Sequence, residues 1–156
     1  MLLLSPEMIA GLVVLVVLLF LVVAIVVAVQ LGRAKAKIWA GNASLRKGNL
    51  AEAVVAYKAA AAITVGTNDA FKIWPGQQES FDQAMVGMTT AYQQAGLAIN
   101  LAPLLQLHAN VVQMSKRDGS GTMPGSPEEI ARLKQQGVGF LSRLPNLPAG
   151  ARPKTA

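Results

Sequence analysis

From Met8 to Val29 the chain runs for 22 residues without a charge, and no other feature constrains the fold as much. As a helix rising about 1.5 Å per residue, this run matches a hydrocarbon core of roughly 30 Å. Leu, Val, Ile and Phe occur all round that helix, which suits lipid on every side better than the one-sided contact of a small core. A cleavable signal peptide would place basic residues ahead of an apolar stretch of roughly 7–15 residues. Here the preceding residues are MLLLSPE, with no Lys or Arg, and the run is longer, so the expectation is a retained single-pass anchor over 1–32. Ser5, Pro6 and Glu7 mark its helix start as N-cap, preset φ and a negative charge at the positive end of the dipole.

All fourteen Lys and Arg follow the run, and five of them (Arg33, Lys35, Lys37, Arg46 and Lys47) precede Gly48. The positive-inside rule then expects an outside N-terminus and a domain on the cytoplasmic or interior side. Arg33, Lys35 and Lys37 lie close enough to the span to touch anionic lipid headgroups, a contact worth about 1 kcal/mol per basic residue. Arg46 and Lys47 stand roughly 20 Å further out. The absence of Cys fits a reducing compartment.

Beyond the anchor, no stretch alternates with period two for long enough to make a strand, so the fold class is all-α: one transmembrane helix continuing into a small helical domain over 33–117. Gly32 is the only weak point before Lys47, and one Gly costs a helix only about 1 kcal/mol relative to Ala. The first helix is therefore expected to run from the membrane to a turn at Gly48-Asn49. A second helix, Leu50 to Ile63, places Leu50, Ala53, Val54, Tyr57, Ala60, Ala61 and Ile63 near one face. Thr64 to Gln78 reads as a connector with a Pro75-Gly76 turn, its Phe71, Ile73 and Trp74 packing back onto the helices. A third helix is expected from about Glu79 to Leu101, with Phe81, Met85, Met88, Tyr92, Ala95, Ile99 and Ala102 at three- and four-residue steps. Pro103 kinks it or starts a new helix, whose stripe continues as Leu104, Leu107, Val111 and Met114. A flexible loop follows over 118–126. Ser126, with Glu129 three positions on, then caps a short helix over 127–142, with Gly137 as its expected stop. Residues 143–156 read as an extended, basic, Pro-rich tail.

The hairpin GNASLRKGNLAEAVVAYKAAAAI, Gly41 to Ile63, resembles a tetratricopeptide repeat, over about 15% of the chain. In that resemblance Gly41 and Ala53 fill the small slots, Gly48 the turn, Leu50 and Tyr57 the larger slots, and Ala60 the site facing the next helix. Lys37 stands where the family has a large aromatic (Trp39 is two positions late), Ser44 replaces another aromatic, and Val65 replaces the terminal Pro. A second copy is hinted at by AYQQAGLAI, Ala91 to Ile99, without a Gly turn ahead of it. A divergent repeat and an independent Ala-rich hairpin give the same local shape. The resemblance implies binding of partner peptides or helices rather than chemistry, and a lone pair must lean on its neighbours or on another protein.

Catalysis finds no constellation. His108 is the only histidine and reads as a packing or surface residue, and without Cys neither a common zinc site nor a Cys-His pair can assemble. DGSGTMPG follows no strand and precedes no Gly-Lys-Ser/Thr, which argues against a phosphate loop. Glu128 and Glu129 serve capping and the helix dipole. The net charge of +6 raises nucleic acid as a ligand, but the charge sits at the collar and the tail without an aromatic-lined groove, which argues against it. No cofactor or metal is expected. The reading is a non-enzymatic, membrane-anchored adaptor or assembly protein whose partners are the lipid bilayer and proteins of a membrane-associated assembly. Met85, Met88 and Tyr92 offer a candidate partner face, and a homo-oligomer is compatible with all of this. The alternative is a minor structural subunit of a large assembly, such as a secretion machine, an energy-converting complex or a membrane-containing virus.

Overall fold

The computed structural model of the chain describes residues 6–66, 75–115 and 125–154. These form five helices and, among the described residues, no strand: α1 (Pro6–Arg46), α2 (Leu50–Gly66), α3 (Pro75–Gln94), α4 (Ala102–Ser115) and α5 (Pro127–Arg143). The packing role expected of Phe71, Ile73 and Trp74, and most of the loop at 118–126, lie outside the described residues.

α1 continues through Gly32 without a break, because a Gly that keeps helical φ removes no hydrogen bond. Its first part is long and apolar enough to cross a membrane, and none of its most apolar window is buried within the chain. Just beyond it, Ala34 and Ile38 are buried, so the domain begins within two turns of the apolar run. At the other end the helix closes with a Schellman turn. Gly48 adopts φ +71°, its N–H donates to the Leu45 carbonyl at 3.0 Å, and Asn49 N–H donates to Ser44 at 2.8 Å. That turn sends α2 back antiparallel along α1, and α3 packs on both.

The core lies between these three helices and is closed by Leu104 of α4 and Leu141 of α5. Leu50, Ala53, Val54, Tyr57, Ala60 and Ala61 are fully buried, joined by Thr64 and Val65, whereas Ile63 is half-buried. The small side chains let the backbones approach, and the Tyr57 ring fills the space between α1 and α3. Cβ atoms at Gly41 would stand 2.7–2.9 Å from that ring, and at Gly87 closer still.

Several sequence expectations are corrected. The Pro75-Gly76 pair is the first turn of α3 rather than a turn before it: Pro lacks only an N–H that this position leaves unpaired, and Gly76 packs against Leu31. α3 stops at Gln94 instead of near Leu101. Gly96 at φ +74° makes a second Schellman turn, with Leu97 N–H donating to Tyr92 at 2.9 Å, and this removes Ile99 and Ala102 from the α3 stripe. α4 starts afresh with Asn100 Oδ1 accepting from Ala102 N–H at 3.0 Å. Ser126 does cap α5, accepting from Glu129 N–H at 3.2 Å, but Gly137 does not end it. There the absent side chain makes room, since a Cβ would stand 2.9 Å from Val65 and 3.1 Å from Leu107.

Over 144–154 the Pro-rich tail is non-helical with a turn at Ala149-Gly150, and it is fastened as a strap over three helix ends. Ala151 carbonyl accepts from the free Leu50 N–H of α2 at 3.2 Å, and Lys154 N–H donates to the Gln94 carbonyl of α3 at 2.9 Å. Arg152 donates to the Lys47 carbonyl, just past α1, at 3.1 Å. Each contact satisfies a backbone group that a helix leaves unpaired at its end. The strap's own Leu144 and Leu147 are buried in the core.

Candidate docking surfaces

The membrane-facing candidates Arg33, Lys35 and Lys37 are all exposed on the stretch of α1 between the apolar run and the body of the domain. At about 1.5 Å per residue they stand roughly 6, 9 and 12 Å beyond Val29 along α1. They project in different directions, which makes a collar rather than a pocket. Arg46 and Lys47 are exposed at the far end of α1.

The residues assigned to hairpin packing converge. Gly41, Leu50, Ala53, Tyr57 and Ala60 are all buried, Gly41 against the Tyr57 ring, and Gly48 makes the turn. The Tyr57 hydroxyl donates to Asn42 Oδ1 at 2.6 Å. Burial raises its pKa above the ordinary tyrosine value, an effect that the nearby positive Arg46 partly opposes.

The expected partner face is not a surface. Met85, Met88 and Tyr92 are buried on the inner side of α3, where Met side chains fill irregular space between helices. Tyr92 donates instead to the Pro145 carbonyl of the strap at 2.7 Å, and burial pushes its pKa up to about 12. Lys58 holds the strap from α2, its Nζ donating to the Leu144 carbonyl at 2.9 Å and to Asn146 Oδ1 at 3.0 Å. Desolvation lowers the pKa of that ammonium. His108 stacks on Phe81 with ring centroids 3.8 Å apart and planes within 10°. It is a buried packing residue.

Among the described residues, two open grooves flank α1. A groove of about 640 Å³ lies between α1 and α3, with Tyr57 and Gly87 at its floor, Asn42 and Leu45 on one wall, and Glu79, Asp82 and Val86 on the other. A second, of about 460 Å³, lies between α1, α2 and the strap, with Val55, Ala59 and Leu147 among its apolar lining. Exposed large apolar side chains sit beside both. Val86 is 67% exposed at the first and Val55 57% at the second, and Trp39, 81% exposed, stands three residues before Asn42 on α1. Sequence reasoning missed these grooves, because Val86 falls outside the apolar stripe of α3 and Trp39 reads only as a misplaced family aromatic.

Among the described residues, no three His, Cys, Asp or Glu side chains come together to hold a metal ion. Comparison with protein-family profiles, curated proteins and solved structures finds no match for this chain.

Proposed function

We propose that the protein is a single-pass membrane adaptor whose helical domain docks other proteins at a fixed height above the bilayer, on the cytoplasmic or interior side. One observation carries this reading. α1 is a single helix whose first part is an exposed, charge-free rod and whose last third is built into a domain of tightly packed small residues. A rod of this kind transmits the orientation of the span to the domain, and Arg33, Lys35 and Lys37 meet anionic headgroups at the joint. The resemblance of the Gly41 to Ile63 sequence to a tetratricopeptide repeat supports a docking role. So do the two open grooves with apolar rims, since large exposed apolar groups beside a concavity favour protein contact.

The test uses the full chain extracted from its membrane in mild detergent, with copurifying proteins identified by mass spectrometry. The expected result is a small set of partners in near-equal amounts, lost when Ala36→Pro breaks α1 between span and domain. Ala36 is exposed, so this change removes a helical hydrogen bond without touching the core. An unchanged partner set in the broken variant, or no partner at all with wild type, would refute the proposal.

A further inference from the structure

The groove between α1 and α3 has walls of complementary chemistry at matched heights. On α1 Asn42 lines the groove, and Lys35, Trp39 and Arg46 share its helical face at steps of four, three and four. On α3 the corresponding line is Glu79, Gln83, Val86 and Thr90, with the same steps of four, three and four. Two contacts fix the heights. Leu31 lies against Gly76, and Gly41 and Gly87 flank the Tyr57 ring, so the two helices run parallel, with position n on α1 level with about n + 45 on α3 (76 − 31 = 45, 87 − 41 = 46). Lys35 is therefore level with Glu79 to within about one residue, Trp39 with Gln83, and Asn42 with Val86.

We infer that this groove is a two-fold interface with a second copy of the chain. In a two-fold dimer every contact occurs twice, so one surface must carry both halves of each match. A membrane-anchored chain adds a requirement, because the two-fold axis must run along the membrane normal for both anchors to enter the same bilayer. An axis of that kind, along α1 and α3, preserves height. It sets Lys35 against the partner's Glu79, with Asp82 of the partner subunit one turn away, and lays Trp39 over the partner's Gln83 and Val86. The two most exposed large apolar side chains of the domain are then covered together. Down the same face of α1 the line continues as Ala24, Ala28 and Gly32, all exposed, whose small size lets two spans approach. A groove awaiting an unrelated partner has no need for its two walls to be matched at equal height.

The inference rests on the anchored reading of α1, and the experiment separates the two. Full-length chains labelled with donor or acceptor dyes are placed in vesicles of zwitterionic lipid at low density. Energy transfer reports pairing, and vesicle flotation reports anchoring. Wild type should pair. Lys35→Glu and Glu79→Lys should each weaken pairing about tenfold, since each puts like charges at both repeats of the contact. An equal mixture of the two variants should restore it, because the opposite charges meet again only between different chains. Trp39→Ala should weaken pairing and gain nothing from mixing. Three outcomes would overturn the interface while flotation stays intact: wild type without energy transfer, single variants that pair like wild type through the spans alone, or a mixture no better than its components. Failure of wild type to float would instead remove the anchored reading beneath it.

Discussion

Placing a methyl group at Gly41 should destabilise the domain, and the same change should stabilise it once Tyr57 is gone. In a helix, replacing Gly by Ala is favourable by about 0.8–1 kcal/mol. At Gly41 the new Cβ would stand 2.7, 2.9 and 2.9 Å from three atoms of the Tyr57 ring, all well inside contact distance. The ring cannot easily move aside, because it is fully buried and its hydroxyl is held at 2.6 Å by Asn42. Overpacking costs about 1–3 kcal/mol, and three ring atoms met at once put this site in the upper half of that range, so after the gain in propensity the net expectation is a loss of about 1–2 kcal/mol. Gly87→Ala should lose more, since its Cβ would come closer to the same ring. In a Tyr57→Leu background the ring atoms are absent, and each Gly→Ala change should then gain up to about 1 kcal/mol of helix propensity. Urea unfolding in detergent, followed by the near-ultraviolet signal of the tyrosines, reads the domain without interference from an anchor helix that detergent preserves. A neutral or stabilising Gly41→Ala in wild type, or an equal cost in both backgrounds, would refute the ring-between-glycines account.

Ala53→Leu should cost about 1–3 kcal/mol in the same assay, because Ala53 is fully buried in the core. Tyr92→Phe should cost about 1 kcal/mol by leaving the Pro145 carbonyl without its donor, and amide exchange over 144–154 should accelerate. Stability should also fall as pH rises. Tyr92 titrates near 10 in the unfolded chain and near 12 in the folded one, so the unfolded state loses its proton first, and the hydroxyl's contribution, complete below about pH 10, drains away between 10 and 12. The Phe variant should lose less stability over that window, which an alkaline denaturation series checks. Lys58→Met should free the strap near Leu144 and Asn146, seen as faster proteolysis after Arg143 while the helix content holds.

The sequence made α1 and α2 legible because their signals are local. A charge-free run needs no partner to be recognised, and Gly48-Asn49 announces a helix stop within a few residues. The same logic failed where a residue answers to a distant one. Gly137 reads as a stop, yet it is mid-helix because Val65 and Leu107 approach it. Gly96, in contrast, did end a helix, and its φ of +74° rather than its identity separates the two cases. Met85, Met88 and Tyr92 share a stripe that periodicity marks as apolar, and periodicity cannot say whether a stripe faces a core or a partner. The strap was hidden for another reason. Pro-rich composition gives extended backbone, but its hydrogen bonds go to helix ends brought together only by the tertiary fold. The grooves were illegible likewise, since Lys35 and Glu79 become neighbours in height only after two turns of chain reversal.

The distance between two spin labels across the joint of α1 tests most directly whether span and domain form one rod at the membrane. With no native Cys, Val22→Cys and Ala43→Cys can be labelled cleanly, and both positions are exposed. In lipid bilayers, diluted with unlabelled chain, an unbroken helix predicts a narrow distribution near about 32 Å for the backbone separation of these sites. The label at 22 should be accessible to oxygen dissolved in lipid and the label at 43 to a water-soluble relaxant. A broad or much shorter distance, or a label at 22 exposed to water, would contradict the account.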